Sequence, residues 1–201
     1  MTWVKVCGLG KPSEARAAAA AGADAIGLVM VPASPRAVRP DVAATIASAT
    51  ELDSFLLTMD ATPSEMLDLA GFIGVTGIQP YGDHREATVE AAIRAGLDVL
   101  LPISVSTAHL SLLDVDNRLT PLLDTADPRV HGGTGRRFDS DLVDSAGRDW
   151  VLAGGLNPDN VSEAIGLAKP WGVDASSGLE SAPGTKDLSL ITRFVEEAKS
   201  A

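Results

Sequence analysis

One four-residue pattern recurs along the chain and constrains its fold more than any other feature. Ala21-Gly22-Ala23-Asp24, Ala95-Gly96-Leu97-Asp98 and Ala146-Gly147-Arg148-Asp149 each stand directly before an apolar run. Glycine just past a helix takes up the left-handed conformation that closes the last turn, so each tetrad reads as the exit from a helix into a buried strand. Ala21 to Ala95 is 74 residues and Ala95 to Ala146 is 51, close to three and two times a unit of about 25. The 201 residues then hold about eight such units. Eight strand-then-helix units predict an α/β fold, a parallel eight-stranded (β/α)₈ TIM barrel. A doubly wound open sheet is the rival, and the count of eight disfavours it.

Local signals agree with that count. Thr62-Pro63-Ser64-Glu65 is a capping box with proline in the first helical position, leading into Met66, Ala70 and Ile73 on one face. Asn157-Pro158 reads as the cap of a helix carrying Val161, Ala164, Ile165 and Ala168. Leu188, Ile191, Val195 and Ala198 make a comparable stripe near the C-terminus, and a fifth helix is expected near residues 106–114. The expected strands are residues 3–7, 25–30, 55–59, 75–79, 99–102, 119–123, 150–153 and 172–175. These runs lack polar alternation, which suits strands buried on both faces.

With 45% hydrophobic positions and no linker or low-complexity tract, residues 1–201 read as a single barrel domain. The formal net charge is −11. An acidic chain without a basic stripe excludes nucleic acid and anionic membrane as natural partners. No apolar run reaches the ~18 residues of a spanning helix, and the N-terminus lacks a signal-peptide layout, so a cytoplasmic protein is expected. No exposed apolar stripe is marked, which points to a monomer. One cysteine and three scattered histidines offer neither a disulfide nor metal-ligand spacing, so no metal is expected.

In such a barrel the chemistry lies at the C-terminal ends of the strands. That rule selects Cys7, Asp60, Gln79 and Asp124, with Arg36 in the loop after the second strand. Glycines gather in the last third, as Gly132-Gly133-Thr134-Gly135, Gly154-Gly155 and Ser176-Ser177-Gly178. Glycine lets backbone N–H groups approach a phosphate, and three such clusters on adjacent strand ends favour phosphate binding over ordinary tight turns. Each side chain has a plainer alternative. Cys7 reads equally as a small buried hydrophobe, Asp124 as a turn cap and Arg36 as a solvated loop charge. Tyr81, His84 and His131 are candidates for the rim but are left at a plain structural reading.

At this point the residues resemble a known family, the phosphoribosylanthranilate isomerases of tryptophan biosynthesis. The matching stretches include Lys5-Val6-Cys7-Gly8-Leu9, Ser34-Pro35-Arg36, Leu122-Leu123-Asp124-Thr125 and Gly132-Gly133-Thr134-Gly135. They continue through Leu152-Ala153-Gly154-Gly155-Leu156-Asn157-Pro158 to Val173-Asp174-Ala175-Ser176-Ser177-Gly178-Leu179-Glu180 and Pro183-Gly184-Thr185-Lys186-Asp187. In order, they span nearly the whole chain. Where the family usually shows a Gln-Leu-His-Gly-type segment, this chain has Gln79-Pro80-Tyr81-Gly82, and Thr58-Met59-Asp60 ends a strand that usually finishes in an Asn.

The resemblance implies an Amadori rearrangement of N-(5'-phosphoribosyl)anthranilate, without a cofactor. It makes Asp124 the general acid that opens the ring and Cys7 the general base that removes the C2 proton. It makes Arg36 the partner of the anthranilate carboxylate, and Gly133, Gly154, Gly155, Ser177 and Gly178 the phosphate cradle. Asp174 becomes a candidate substrate contact. A free thiol is only a few per cent thiolate at neutral pH, so Cys7 needs a cationic neighbour or a helix dipole; Asp124 needs burial or nearby anions to hold its proton. Two alternatives stay open: an aminoaldose isomerase of histidine biosynthesis, and an inactive barrel that only binds a phosphorylated ligand.

Overall fold

In the computed structural model, which describes residues 1–104, 110–112, 115–124, 143–144 and 147–201, the ring of strands starts at Trp3–Cys7. This strand, β1, is followed by β2 (Ala25–Val29), β3 (Asp53–Met59), β4 (Gly77–Tyr81), β5 (Asp98–Ser104), β6 (Thr120–Asp124), β7 (Val151–Ala153) and β8 (Gly172–Ala175). Each pairs in parallel with its predecessor, and β8 pairs with β1 to close the barrel. The helices are α1 (Pro12–Ala21), α2 (Pro40–Ala47), α3 (Pro63–Ile73), α4 (Arg85–Arg94), α5 (Val161–Ala168) and α6 (Leu188–Ser200).

The recurrent tetrad does what its sequence suggests. Gly22, Gly96 and Gly147 all have positive φ, at 92°, 75° and 77°. The first of them caps α1 with its N–H directed to the carbonyls of Ala18 and Ala19. The aspartate of that tetrad adds a clasp: Asp24 Oδ2 accepts from the Val4 N–H and from Lys199 Nζ, each at 2.6 Å, tying α6 to the β1–β2 edge. In the third tetrad the Arg148 guanidinium donates to the carbonyls of Leu112, Val115, Asp116 and Leu119.

Three readings change. Most of the expected fifth helix lies outside the described residues, and Leu110–Ser111 within it is a two-residue strand paired with Val143–Asp144. Asn157-Pro158 does not cap α5; it opens a turn in which Asn160 Oδ1 accepts the Asn157 N–H, and Asn160 is the residue that precedes the helix. Leu188 is 46% exposed, while Phe194 joins Ile191, Val195 and Ala198 on the buried face of α6. The side chain of Asp187 caps that helix, so Leu188 sits in its first turn, where the face has yet to reach the barrel. The capping box of Thr62 and Glu65 is present as expected.

The barrel interior is layered. Trp3, Ala25, Phe55, Leu100, Leu122 and Val151 form an apolar floor. Above it lies a buried polar layer of Lys5, Gln79 and Asp174. Cys7, Val29 and Leu57 come next, with Val31 and Tyr81 packed against them. A larger apolar shell fills the space between strands and helices.

Candidate active site at the barrel mouth

The strand ends enclose a cavity of about 340 Å³. Cys7, Asp124, Asp174 and Arg36 all line it. Val29, Val31, Leu57, Met59 and Tyr81 give it an apolar wall along the β2–β4 arc. Gly154, Gly155, Ser176 and Ser177 line it along the β7–β8 arc. The structure thus brings the expected thiol, carboxylate and guanidinium together around one mouth. Asp60, selected by the same strand-end rule, belongs elsewhere. Its Oδ1 accepts the Asp83 N–H at 2.7 Å, holding the turn after β4, and it faces a separate acidic concavity with Glu65 and Asp68.

Cys7 ends β1 and is 4% exposed. Its register partner on β2 is Gly27, where a Cβ would lie 2.7 Å from the sulfur. The missing side chain at Gly27 is what makes room for the thiol. Burial pushes the Cys7 thiol above its ordinary value, and the carboxylate of Asp174 adds to that, while the ammonium charges of Lys5 and Lys186 pull it back. The cationic neighbours that a thiolate needs are therefore two lysines.

Lys5 lies two residues before Cys7 on β1 and is fully buried. Its Nζ donates to Asp174 Oδ2 at 2.9 Å and to Gln79 Oε1 at 3.0 Å. Lys5 and Asp174 are register partners across the β1–β8 seam. Burial opposes the Lys5 charge, but the Asp174 carboxylate outweighs it, aided by Cys7, and the amine is held above its usual range. Gln79 Nε2 donates in turn to Tyr81 Oη at 2.7 Å. Burial and the nearby acidic groups push the Tyr81 phenol upward, so it remains a neutral donor. Asp174 Oδ1 is buried and has no hydrogen-bond partner among the described residues. A buried acceptor left orphaned beside a cavity calls for an explanation.

Arg36 lies within a turn in which the Ala37 N–H donates to the Ser34 carbonyl. It is not a solvated charge. Its Nε and Nη2 donate to the two oxygens of Glu180 at 2.6 and 2.9 Å. Glu180 opens a two-stranded hairpin of β9 (Glu180–Ala182) and β10 (Thr185–Lys186), in which Glu180 faces Lys186. Lys186 Nζ donates to Glu180 Oε1 at 2.9 Å and to the Ser176 carbonyl at 2.8 Å.

At the other arc, Gly154 and Gly155 have φ of 95° and 70°. A Cβ on Gly178 would lie 2.0 Å from the Leu156 carbonyl, so the turns after β7 and β8 abut. Among the described residues the N–H groups of Gly155, Ser177 and Gly178 have no acceptor. Unpaired amides grouped at adjacent strand ends suit an anion. Lys186 meets this arc only through the Ser176 carbonyl and hydroxyl. Gly133 lies outside the described residues.

Sequence reasoning missed the roles of Lys5, Glu180 and Lys186, although all three stand in motifs singled out above. A lysine within a doubly buried strand demands a buried partner, and opposite charges flanking Pro183-Gly184 are a hairpin signal.

A parallel eight-stranded barrel whose strand ends gather a thiol, a carboxylate, a guanidinium and free amides is the architecture of a (β/α)₈-barrel enzyme. The sequence profile of N-(5'-phosphoribosyl)anthranilate (PRA) isomerase matches residues 4–197, and the chain belongs to that family. It is 38% identical over 209 residues to an N-(5'-phosphoribosyl)anthranilate isomerase of Rubrobacter xylanophilus, covering 100% of both chains. The phosphoribosyl anthranilate isomerase structure from Thermotoga maritima superposes with a TM-score of 0.84 at 31% identity, covering 100% of each chain. A further isomerase structure, solved with reduced 1-(o-carboxyphenylamino)-1-deoxyribulose 5-phosphate, matches at a TM-score of 0.79 and 30% identity, again over 100% of both chains.

Proposed function

We propose that Cys7, Asp124, Arg36 and the turns after β7 and β8 divide the work of this enzyme's reaction. The chain is an isomerase of tryptophan biosynthesis, converting N-(5'-phosphoribosyl)anthranilate to 1-(2-carboxyphenylamino)-1-deoxyribulose 5-phosphate by an Amadori rearrangement. The observation that carries the assignment of roles is that all these groups line one cavity of about 340 Å³.

Asp124, as the carboxylic acid, gives its proton to the furanose ring oxygen. The C1–O bond breaks as the amino nitrogen lone pair forms the protonated Schiff base. The Cys7 thiolate removes the C2 proton, and the C2–H electrons pass through C1 to nitrogen, giving an enolamine. The enolamine gains a proton at C1 and loses one from the C2 hydroxyl, leaving the ketone. Lys5 and Lys186 favour the thiolate during this sequence, and Asp174 Oδ1 offers an acceptor to a sugar hydroxyl.

Arg36 holds the anthranilate carboxylate, and Val29, Val31, Leu57 and Tyr81 give its ring an apolar bed. The phosphate lies against the amides of Gly155, Ser177 and Gly178, with Gly133 and Gly154 as further members of the cradle. In this reading the protein is a monomer acting on a small molecule, with Phe72, Leu167, Trp171 and Leu188 among its exposed large apolar side chains. No helix among the described residues is long and apolar enough to cross a membrane, and a phosphorylated substrate supports a cytoplasmic setting.

The test is loss of phosphoribosylanthranilate fluorescence on adding the protein, repeated with Cys7→Ser and Asp124→Asn. Turnover by the parent chain and its collapse in both variants are expected. Near-parental turnover by a folded Cys7→Ser protein removes Cys7 from the mechanism.

A further inference from the structure

The guanidinium that meets the substrate carboxylate is already forked onto another carboxylate. Glu180 covers the Nε and Nη2 edge of Arg36, leaving Nη1 without a partner among the described residues. Glu180 is itself fixed: its side chain is 3% exposed, it accepts from Lys186, and its Oε2 accepts the Gly184 N–H at 3.2 Å. The hairpin tip packs directly on the Arg36 turn, because a Cβ at Gly184 would lie 2.2 Å from the Pro35 carbonyl. A Cβ at Gly8 would lie 2.7 Å from Arg36 Cδ, so the arginine stem is pressed against the turn after β1. Lys186 joins this cluster to the other arc through Ser176.

An arginine acting only as a charge needs none of this. A forked carboxylate lowers its net charge and restricts its motion, so the arrangement exchanges raw attraction for direction. Two cations and one anion leave the group Arg36, Lys186 and Glu180 with a single positive charge, which one substrate carboxylate neutralises. The same chain of contacts, Arg36 to Glu180 to Lys186 to Ser176, fixes the span between the guanidinium and the turn that opens the phosphate cradle.

We infer that Glu180 and Lys186 are positioning residues that make the site selective for the place of the carboxylate on the substrate's aromatic ring, by holding Arg36 at a set span from the phosphate cradle. The inference rests on the reading of Arg36 as the carboxylate partner. The pair acts through Arg36 and Ser176 and takes no part in proton transfer.

The test uses three reduced product analogues, each a 1-arylamino-1-deoxyribitol 5-phosphate, bearing an ortho-carboxyphenyl, a meta-carboxyphenyl or a plain phenyl group. Inhibition constants are measured for the parent chain, Arg36→Ala, Glu180→Gln and Glu180→Asp. The parent is expected to favour the ortho analogue over the meta by about tenfold or more. Glu180→Gln should lower that ratio by about fivefold while the plain phenyl analogue stays within about twofold, and Glu180→Asp should restore part of it. Loss of the ratio in Arg36→Ala with full retention in Glu180→Gln overturns the inference and leaves the Arg36 reading standing. Retention of the ratio in Arg36→Ala overturns both. Should Glu180→Gln fail to fold because Lys186 is left buried and unpaired, Glu180→Gln/Lys186→Met removes both charges, and the same loss of ratio is expected.

Discussion

At the Arg36 end of the mouth, charged side chains from a loop and a hairpin converge on one another through three directed hydrogen bonds before any ligand is considered. At the Gly155 end, the available donors are backbone amides of Gly155, Ser177 and Gly178. Both ends suit anions. The first gains direction from a planar fork, matched to the planar carboxylate. The second gains closeness from missing side chains, matched to a tetrahedral phosphate that offers oxygens in several directions. Planar and tetrahedral anions are thus met by planar and by diffuse donor sets.

The largest effect should come from the group between the two ends. Cys7→Ser keeps the size of the side chain but raises its pKa beyond useful range, and kcat should fall 10²–10⁴-fold, with affinity for reduced product nearly unchanged. A matching loss of affinity would mean that Cys7 shapes the site rather than acting in it. Iodoacetamide sharpens the point. The thiol sits above its ordinary value, so its alkylation rate should keep rising with pH beyond where free cysteine levels off. Lys5→Gln removes a cation that pulls the thiol down, so the profile should move further up; a profile at the free-cysteine position in both proteins would contradict this environment.

Next in size are two variants that should separate the ends. Arg36→Ala removes a charge-assisted contact, typically about 1.5–3 kcal/mol, so KM should rise on the order of tenfold or more while inhibition by inorganic phosphate stays put. Gly155→Val forces a β-branched residue to φ near 70°, a strain of about 1–2 kcal/mol, and should weaken phosphate inhibition and substrate binding together. If Arg36→Ala weakens inorganic phosphate as much as Gly155→Val does, the two ends are not separate.

The smallest effect concerns stability in acid. Burial works against the Glu180 charge, yet hydrogen bonds from Arg36 and Lys186 outweigh it and hold the carboxyl below the usual range. The folded state then binds fewer protons than the unfolded state, so stability from this group is present above the unfolded carboxylate range. It is lost as pH falls through the lower folded value. Glu180→Gln should flatten the acid limb of Tm against pH. An unchanged limb would place the acid sensitivity elsewhere.

What was legible in the sequence is what short stretches encode. Gly22, Gly96 and Gly147 announce positive φ through their neighbours, and Thr62 with Glu65 announces a cap, because turn and cap chemistry is settled within a few residues. Cys7 and Asp124 could be set around one mouth from the sequence because strand ends are local and the barrel brings them together. Lys5 escaped because its partner is 169 residues away, even though a closed ring puts the first strand beside the last. Nothing near Arg36 in the chain announces its partner Glu180, 144 residues on. Asp60 misled in the other direction, as the strand-end rule does not say which way a terminal side chain leans.

The β1–β8 seam has one more consequence. Lys5 and Asp174 meet only across that seam, and each gives the other the counter-charge it needs to be buried. The surroundings of the Cys7 sulfur are assembled by the same event. An open or half-wound chain holds the thiol but lacks the ammonium–carboxylate pair beneath it. On the proposed role of Cys7, turnover should therefore report ring closure, returning in refolding only once the last strand has docked on the first.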